Sequence, residues 1–126
     1  MANYLQLKKQ FNSNKKCIKQ VLNDQKCQLR LQAEGLSTLN NLINQTTQKI
    51  TSLPKYDNCE YSYIFFNNKK LNKTYLKLKK WGLIRIIDKK GGYTGITYRY
   101  ITLNLDKFNK FFINTQKYFH PQVSLA

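Results

Sequence analysis

Between positions 69 and 90 the stretch KKLNKTYLKLKKWGLIRIIDKK carries nine Lys and Arg residues against one acid, Asp88. The chemistry open to such residues is the holding of phosphates. A lysine ammonium acts on a phosphate as a point charge, and each contact releases counterions condensed on a nucleic acid. Lys70, Lys73, Lys77 and Lys80 recur at offsets 0, 3, 7 and 10, one stripe of a helix. Leu71, Tyr75 and Leu78 form a second stripe roughly 145° away at about 100° per residue. The spacing thus predicts a helix with one stripe for a core and the other for phosphates.

No other chemistry is spelled out. His120 is the single histidine, beside Pro121, and has no serine or cysteine neighbour to act as a nucleophile. The six acids, Asp24, Glu34, Asp57, Glu60, Asp88 and Asp106, are scattered; Asp57 and Glu60 are spaced as a helix capping box rather than as an acid and base pair. Gly91-Gly92 lacks the lysine and hydroxyl sequel of a phosphate loop. Cys17, Cys27 and Cys59 are odd in number with no C-x-x-C pair, which argues against a disulfide framework or a zinc site and for buried thiols. No catalytic residue, metal or cofactor is expected, and the chain reads as a non-enzyme.

Composition points the same way. Over 126 residues, 22 Lys and Arg against 6 Asp and Glu leave a net charge of +16, a self-repulsion that a bound polyanion relieves. With 41% hydrophobic residues, 9 Tyr, 7 Phe and 1 Trp, the chain has the material for one folded core. No run of eighteen apolar residues and no signal-peptide order occur. A soluble intracellular protein of cytoplasm, nucleoid or nucleus is the expectation, with nucleic acid as partner and no membrane.

The elements that must position the lysines are read from periodicity. Ser13 is placed to cap a helix carrying Cys17, Ile18, Val21 and Leu22. Cys27, Leu29, Leu31 and Ala33 alternate with Gln28, Arg30 and Gln32, which predicts a strand or extended arm, although Gln, Leu, Arg and Ala also favour a helix. Gly35 punctuates, and Ser37 can cap a helix with Leu39, Leu42, Ile43, Thr46 and Ile50 inward, ending before Pro54. Asp57 to Glu60 can open a short helix with Tyr61 and Ile64 inward, against a competing strand through Tyr61, Tyr63 and Phe65. After a cap at Asn67 or Asn68, the basic helix runs to Trp81 and Gly82 ends it as a left-handed C-cap. Residues 83–87 and 96–103 then read as strands around a turn at 88–92. Asn104 can cap a last helix carrying Leu105, Phe108, Phe111, Phe112, Tyr118 and Phe119. Such an aromatic segment must be covered, by the chain's own core or by a second copy across a two-fold axis.

Leu71, Tyr75, Leu78 and the exit Trp81-Gly82-Leu83-Ile84, in the order helix, short helix, basic helix, strand, loop, strand, resemble the winged helix-turn-helix family over residues 36–104. The resemblance implies an α+β fold: a three-helix core with a β-hairpin wing, extended by an N-terminal helix and arm (1–35), a C-terminal aromatic helix (105–120) and a tail (121–126). Phe66 would occupy the turn between the motif's two helices, although Tyr61, Ser62 and Tyr63 stand where the family usually has small residues. Carried over from the family, Lys69, Lys70, Asn72, Lys73 and Lys77 would face the major groove, with Lys80 on the same stripe, and Lys89, Lys90 and Tyr93 would lie on the wing. Asn72 can pair with an adenine edge, and Thr74 or Leu76 can touch a thymine methyl. Residues 98–106 are also similar to the last strand of winged domains in plasmid and phage replication or partition proteins. The resemblance implies a small double-stranded-DNA-binding protein, a transcription regulator or a replication or partition factor, with a homodimer through terminal helices in view. The alternatives are an RNA-bound structural component such as a ribosomal or ribonucleoprotein subunit and a basic nucleic-acid-binding accessory subunit of an enzyme complex that lends charge to a catalytic partner, with a larger nucleoprotein complex also in view.

Overall fold

The computed structural model describes residues 4–51, 64–66, 73–90, 95 and 97–120. Two long helices, α1 (Tyr4–Asn23) and α2 (Gln25–Thr51), are followed by strand β1 (Ile64–Phe66), helix α3 (Lys73–Lys80), strands β2 (Ile84–Lys90) and β3 (Thr97–Leu103), a 3-10 turn over Leu105–Lys107 and helix α4 (Phe108–Tyr118). The strands form an antiparallel sheet in the order β1-β3-β2. The class is α+β.

Residues 4–51 are helical apart from Asp24, and three sequence expectations fall there. Ser13 lies inside α1, where its hydroxyl donates to the Lys9 carbonyl four residues back (2.8 Å) rather than capping anything. Residues 27–33 are helix, not strand or arm. Of the alternating set only Cys27 and Leu31, four apart, are buried, while Leu29 is 49% exposed; the helical stripe with good helix formers prevails. Gly35 and Ser37 also lie within α2, so neither breaks nor caps it. The chain instead bends at Gln32, which takes φ 62, ψ 173 inside α2, a backbone region occupied almost solely by glycine.

Asp24, between α1 and α2, is the true cap. Its backbone carbonyl accepts from the Gln28 N–H (2.9 Å) and its carboxylate from the Cys27 N–H (2.9 Å), the N-cap arrangement. The side-chain amide of Gln116 donates to the same carboxylate oxygen (2.8 Å), tying α4 to the joint. Burial pushes the Asp24 carboxyl up, but the Cys27 and Gln116 bonds outweigh it together and hold it below the ordinary aspartate value of 3.8. A lowered carboxyl stabilises the fold above its unfolded pKa and loses that contribution as pH falls through the folded value. Asp24→Ala is therefore expected to cost about 1 kcal/mol at neutral pH, the usual loss for a cap. In urea unfolding the gap between wild type and variant should narrow below the unfolded value of 3.8; a gap independent of pH would mean that the charge of Asp24 contributes nothing.

Further along, Ile64–Phe66 is a strand paired with β3, Ile64 opposite Ile101 and Phe66 opposite Arg99. The short helix therefore does not extend over these residues, and Phe66 is not at a helix-turn-helix turn; the aromatic, β-branched composition wins. Its proposed start at Asp57 to Glu60, the stop at Pro54 and the caps at Asn67 and Asn68 lie outside the described residues, as do Leu71, the 91–94 tip and the 121–126 tail. Asp88 belongs to β2 rather than to a turn, and pairs with Arg99 across the hairpin at 2.8 Å. Asn104 stands at the N-cap of the 3-10 turn, its carbonyl accepting from the Lys107 N–H (2.9 Å), but its side chain makes no cap bond. Its side-chain amide instead donates to the Gly82 carbonyl (2.9 Å), and its backbone N–H to the Leu83 carbonyl (2.9 Å).

One core runs through these elements. It joins Leu7, Phe11, Ile18 and Val21 of α1 to Leu39 and Leu42 of α2, Leu78 of α3, Ile84 and Ile101 of the sheet and Phe108 and Phe111 of α4. Of the two covers open to the aromatic segment, its own chain supplies one: α4 packs on α1 and α2.

Candidate nucleic-acid interface

Helix α3 rests on α2 behind it and on β2 beside it. Leu78 is fully buried, Tyr75 and Trp81 are partly buried against the core, and Lys73, Leu76, Lys77, Lys79 and Lys80 are exposed. The division follows the helical wheel: with Leu78 pointing inward, Lys73, Leu76 and Lys80 lie near the opposite pole while Lys77 and Lys79 flank it. Thr74 donates its hydroxyl to Glu34 of α2 (3.2 Å), on the side of α3 away from the outward pole. Leu76, 49% exposed, therefore sits at the centre of a lysine-rimmed face.

The end of α3 is a full Schellman stop. Leu83 N–H donates to the Leu78 carbonyl and Gly82 N–H to the Lys79 carbonyl, each at 3.0 Å, with Gly82 at φ +79. This six-to-one and five-to-two pair is what a left-handed residue after the cap permits. It turns the chain directly into β2, so helix and hairpin are joined by only three residues, Trp81, Gly82 and Leu83. Along the hairpin Arg99 grips Asp88 through both Nε (2.8 Å) and Nη2 (3.3 Å). This bond chiefly, with the nearby Lys79 adding to it, holds the Asp88 carboxyl below the usual range. The one acid of the basic stretch is thus neutralised from within the sheet.

Of the residues singled out from sequence, Lys73, Lys77 and Lys80 come together on the exposed side of α3. Lys89 and Lys90 close β2, opposite Tyr98 and Thr97, at the end of the hairpin remote from α3. Lys69, Lys70, Asn72 and Tyr93 lie outside the described residues. Sequence reasoning missed Arg30. Its guanidinium stands 5.2 Å from the centre of the Trp81 ring and 4.6 Å from that of Phe111, rings themselves 5.8 Å apart, and its Nη1 donates to the Thr115 hydroxyl (2.9 Å). No periodicity marks Arg30; its neighbours are 50 to 85 positions away in sequence.

Cys27 is buried, and burial together with the Asp24 carboxylate pushes its thiol up to about 11, so it is a packing residue rather than a nucleophile. Cys59 is outside the described residues. None of the described helices is long and apolar enough to cross a membrane. In comparisons with family models, curated proteins and solved structures, no match to this chain was found.

Proposed function

We propose that this chain is a small duplex-DNA-binding protein of winged type, in which the outward face of α3 enters the major groove and the β2–β3 hairpin reaches the adjoining backbone. The observation that carries this is the polarity of α3. Its buried stripe is held by Leu78 and by the Thr74–Glu34 bond, and what it leaves outside is Lys73, Leu76, Lys77 and Lys80. Support also comes from the sheet order β1-β3-β2, with the hairpin following α3 after a three-residue stop. Behind α3, support comes from α2. Transcription regulator and replication or partition factor are the roles such a reader serves.

A second reading has its own observation. Lys8, Lys9, Lys15, Lys16 and Lys19 are exposed along α1, and cations on more than one face suit a subunit embedded in RNA or in a larger nucleoprotein complex. Titration of labelled duplex DNA, single-stranded DNA and structured RNA at two salt concentrations, with complex mass measured alongside, separates the two. Duplex DNA is expected to bind most tightly, with a linear fall of log K against log salt. Tighter binding of structured RNA would overturn the duplex reading in favour of the second.

A further inference from the structure

Where α3 ends, four cations from three separated stretches of chain meet. Arg30 of α2, Lys80 of α3, and Lys107 and Lys110 at the start of α4 line a cleft of about 350 Å³ together with Trp81 and Phe111. Among the described residues, no Asp or Glu lines it. Its volume falls within the range of roughly 300–1,000 Å³ typical of small-molecule sites.

Cations brought together without a counter-charge repel one another, so a folded chain keeps such a cluster more easily when an anion occupies it. Lys107 and Lys110 are exposed and could swing away from their neighbours; Arg30 is held. Its guanidinium is set against both rings, and Thr115, which receives its Nη1 donor, is itself anchored by donating to the Phe111 carbonyl (2.7 Å). That bond accounts for one of five guanidinium donors. No carboxylate pairs with Arg30 among the described residues; Asp24, before α2, is engaged by Cys27 and Gln116, and Glu34 of α2 accepts from Thr74. A partly buried arginine, held against two rings and with spare donors beside three lysines, suits a tetrahedral oxyanion.

We propose that this cleft is a phosphate-binding site, in which Arg30, Lys80, Lys107 and Lys110 hold a phosphate group and the Trp81–Phe111 wall covers its less polar neighbour. Lys80 belongs both to the outward face of α3 and to the cleft. The phosphate can therefore come from a nucleic-acid backbone continuing past the end of α3, or from a free phosphate compound such as a nucleotide. The first source rests on the duplex reading above; the second does not.

Trp81 is the only tryptophan in the chain, so its fluorescence reports the cleft without ambiguity. Titrating the full-length chain with inorganic pyrophosphate is expected to give a saturable change in emission, and sodium chloride at matched ionic strength none. Lys107→Ala/Lys110→Ala, which alters two exposed side chains and leaves the Arg30 clamp intact, should raise the pyrophosphate dissociation constant at least about tenfold. Lys15→Ala/Lys16→Ala on α1 removes the same charge and should change it little. A non-saturable response, or equal weakening by both double variants, would overturn the site.

A second arm identifies the source. If the Lys107/Lys110 variant also loses about 0.9 from the magnitude of the duplex salt slope, the one phosphate contact held in the cleft, the backbone is the ligand. Loss of pyrophosphate binding with an unchanged duplex slope assigns a free phosphate compound. A wild-type chain that binds pyrophosphate but no duplex defeats only the DNA reading, and one that binds duplex but no pyrophosphate defeats only the cleft.

Discussion

Replacing Lys73, Lys77 and Lys80 together by alanine is expected to reduce the magnitude of the duplex salt slope by about 2.7, from 0.9 per phosphate contact. Carried from 1 M to 0.1 M salt, the same relation makes each contact worth roughly eightfold in affinity, and three of them on the order of 10² to 10³. The fold should survive, because all three side chains are exposed and surface changes of this kind usually fall within about 0.5 kcal/mol. Alanine also favours the helix.

A chain at +16 attracts any polyanion, so the informative comparison keeps total charge fixed. Lys8→Ala/Lys9→Ala/Lys15→Ala on α1 lowers the net charge by the same three, from +16 to +13. If α3 is the groove-facing element, this control should lose much less of the slope. Equal losses from the two triple variants would reduce the interaction to a diffuse field and remove α3 as the reader.

Phe108→Ala is expected to destabilise the chain by about 3 to 5 kcal/mol, the usual range for deleting a buried aromatic ring. Phe108 is 0% exposed, the largest of the fully buried side chains, and it opens α4, which closes over α1 and α2. Against a total stability of about 5 to 15 kcal/mol for a domain, that loss should be plain as a lower urea midpoint with little change in slope. Trp81→Ala should cost less, because the indole is only partly buried, although it gives up both the Arg30 and the Phe111 contacts. A loss at Phe108 below about 1 kcal/mol, the ordinary surface range, would mean that α4 does not seal the core of its own chain.

The same structure explains which features could be seen before it. The basic helix with Leu78 inward and lysines outward, its stop at Gly82, and the two strands after it were all legible in the residues. Each is set by neighbours within a few positions: a helical phase, a left-handed turn that favours glycine, an alternation of apolar residues. The segment from Cys27 to Ala33 shows where that kind of signal fails. Its alternation fits a strand and its residue types fit a helix, and only packing Cys27 and Leu31 against α1 and α4, while leaving Leu29 outside, chooses between them. At Ile64–Phe66 the partner that makes a strand is β3, about 35 positions later.

By itself, then, the chain determined its charge, the two-faced character of α3 and the existence of the hairpin, because these depend on composition and on short-range geometry. Tertiary structure alone decided that the Asn104 side chain would fasten Gly82 instead of capping a helix, that Asp24 would join α1, α2 and α4, and that Arg30 would meet Lys80, Lys107 and Lys110. The physical reason is that a residue's hydrogen-bond and charge partners are set by which elements pack together, and local periodicity states only which side of an element is apolar, not what will cover it.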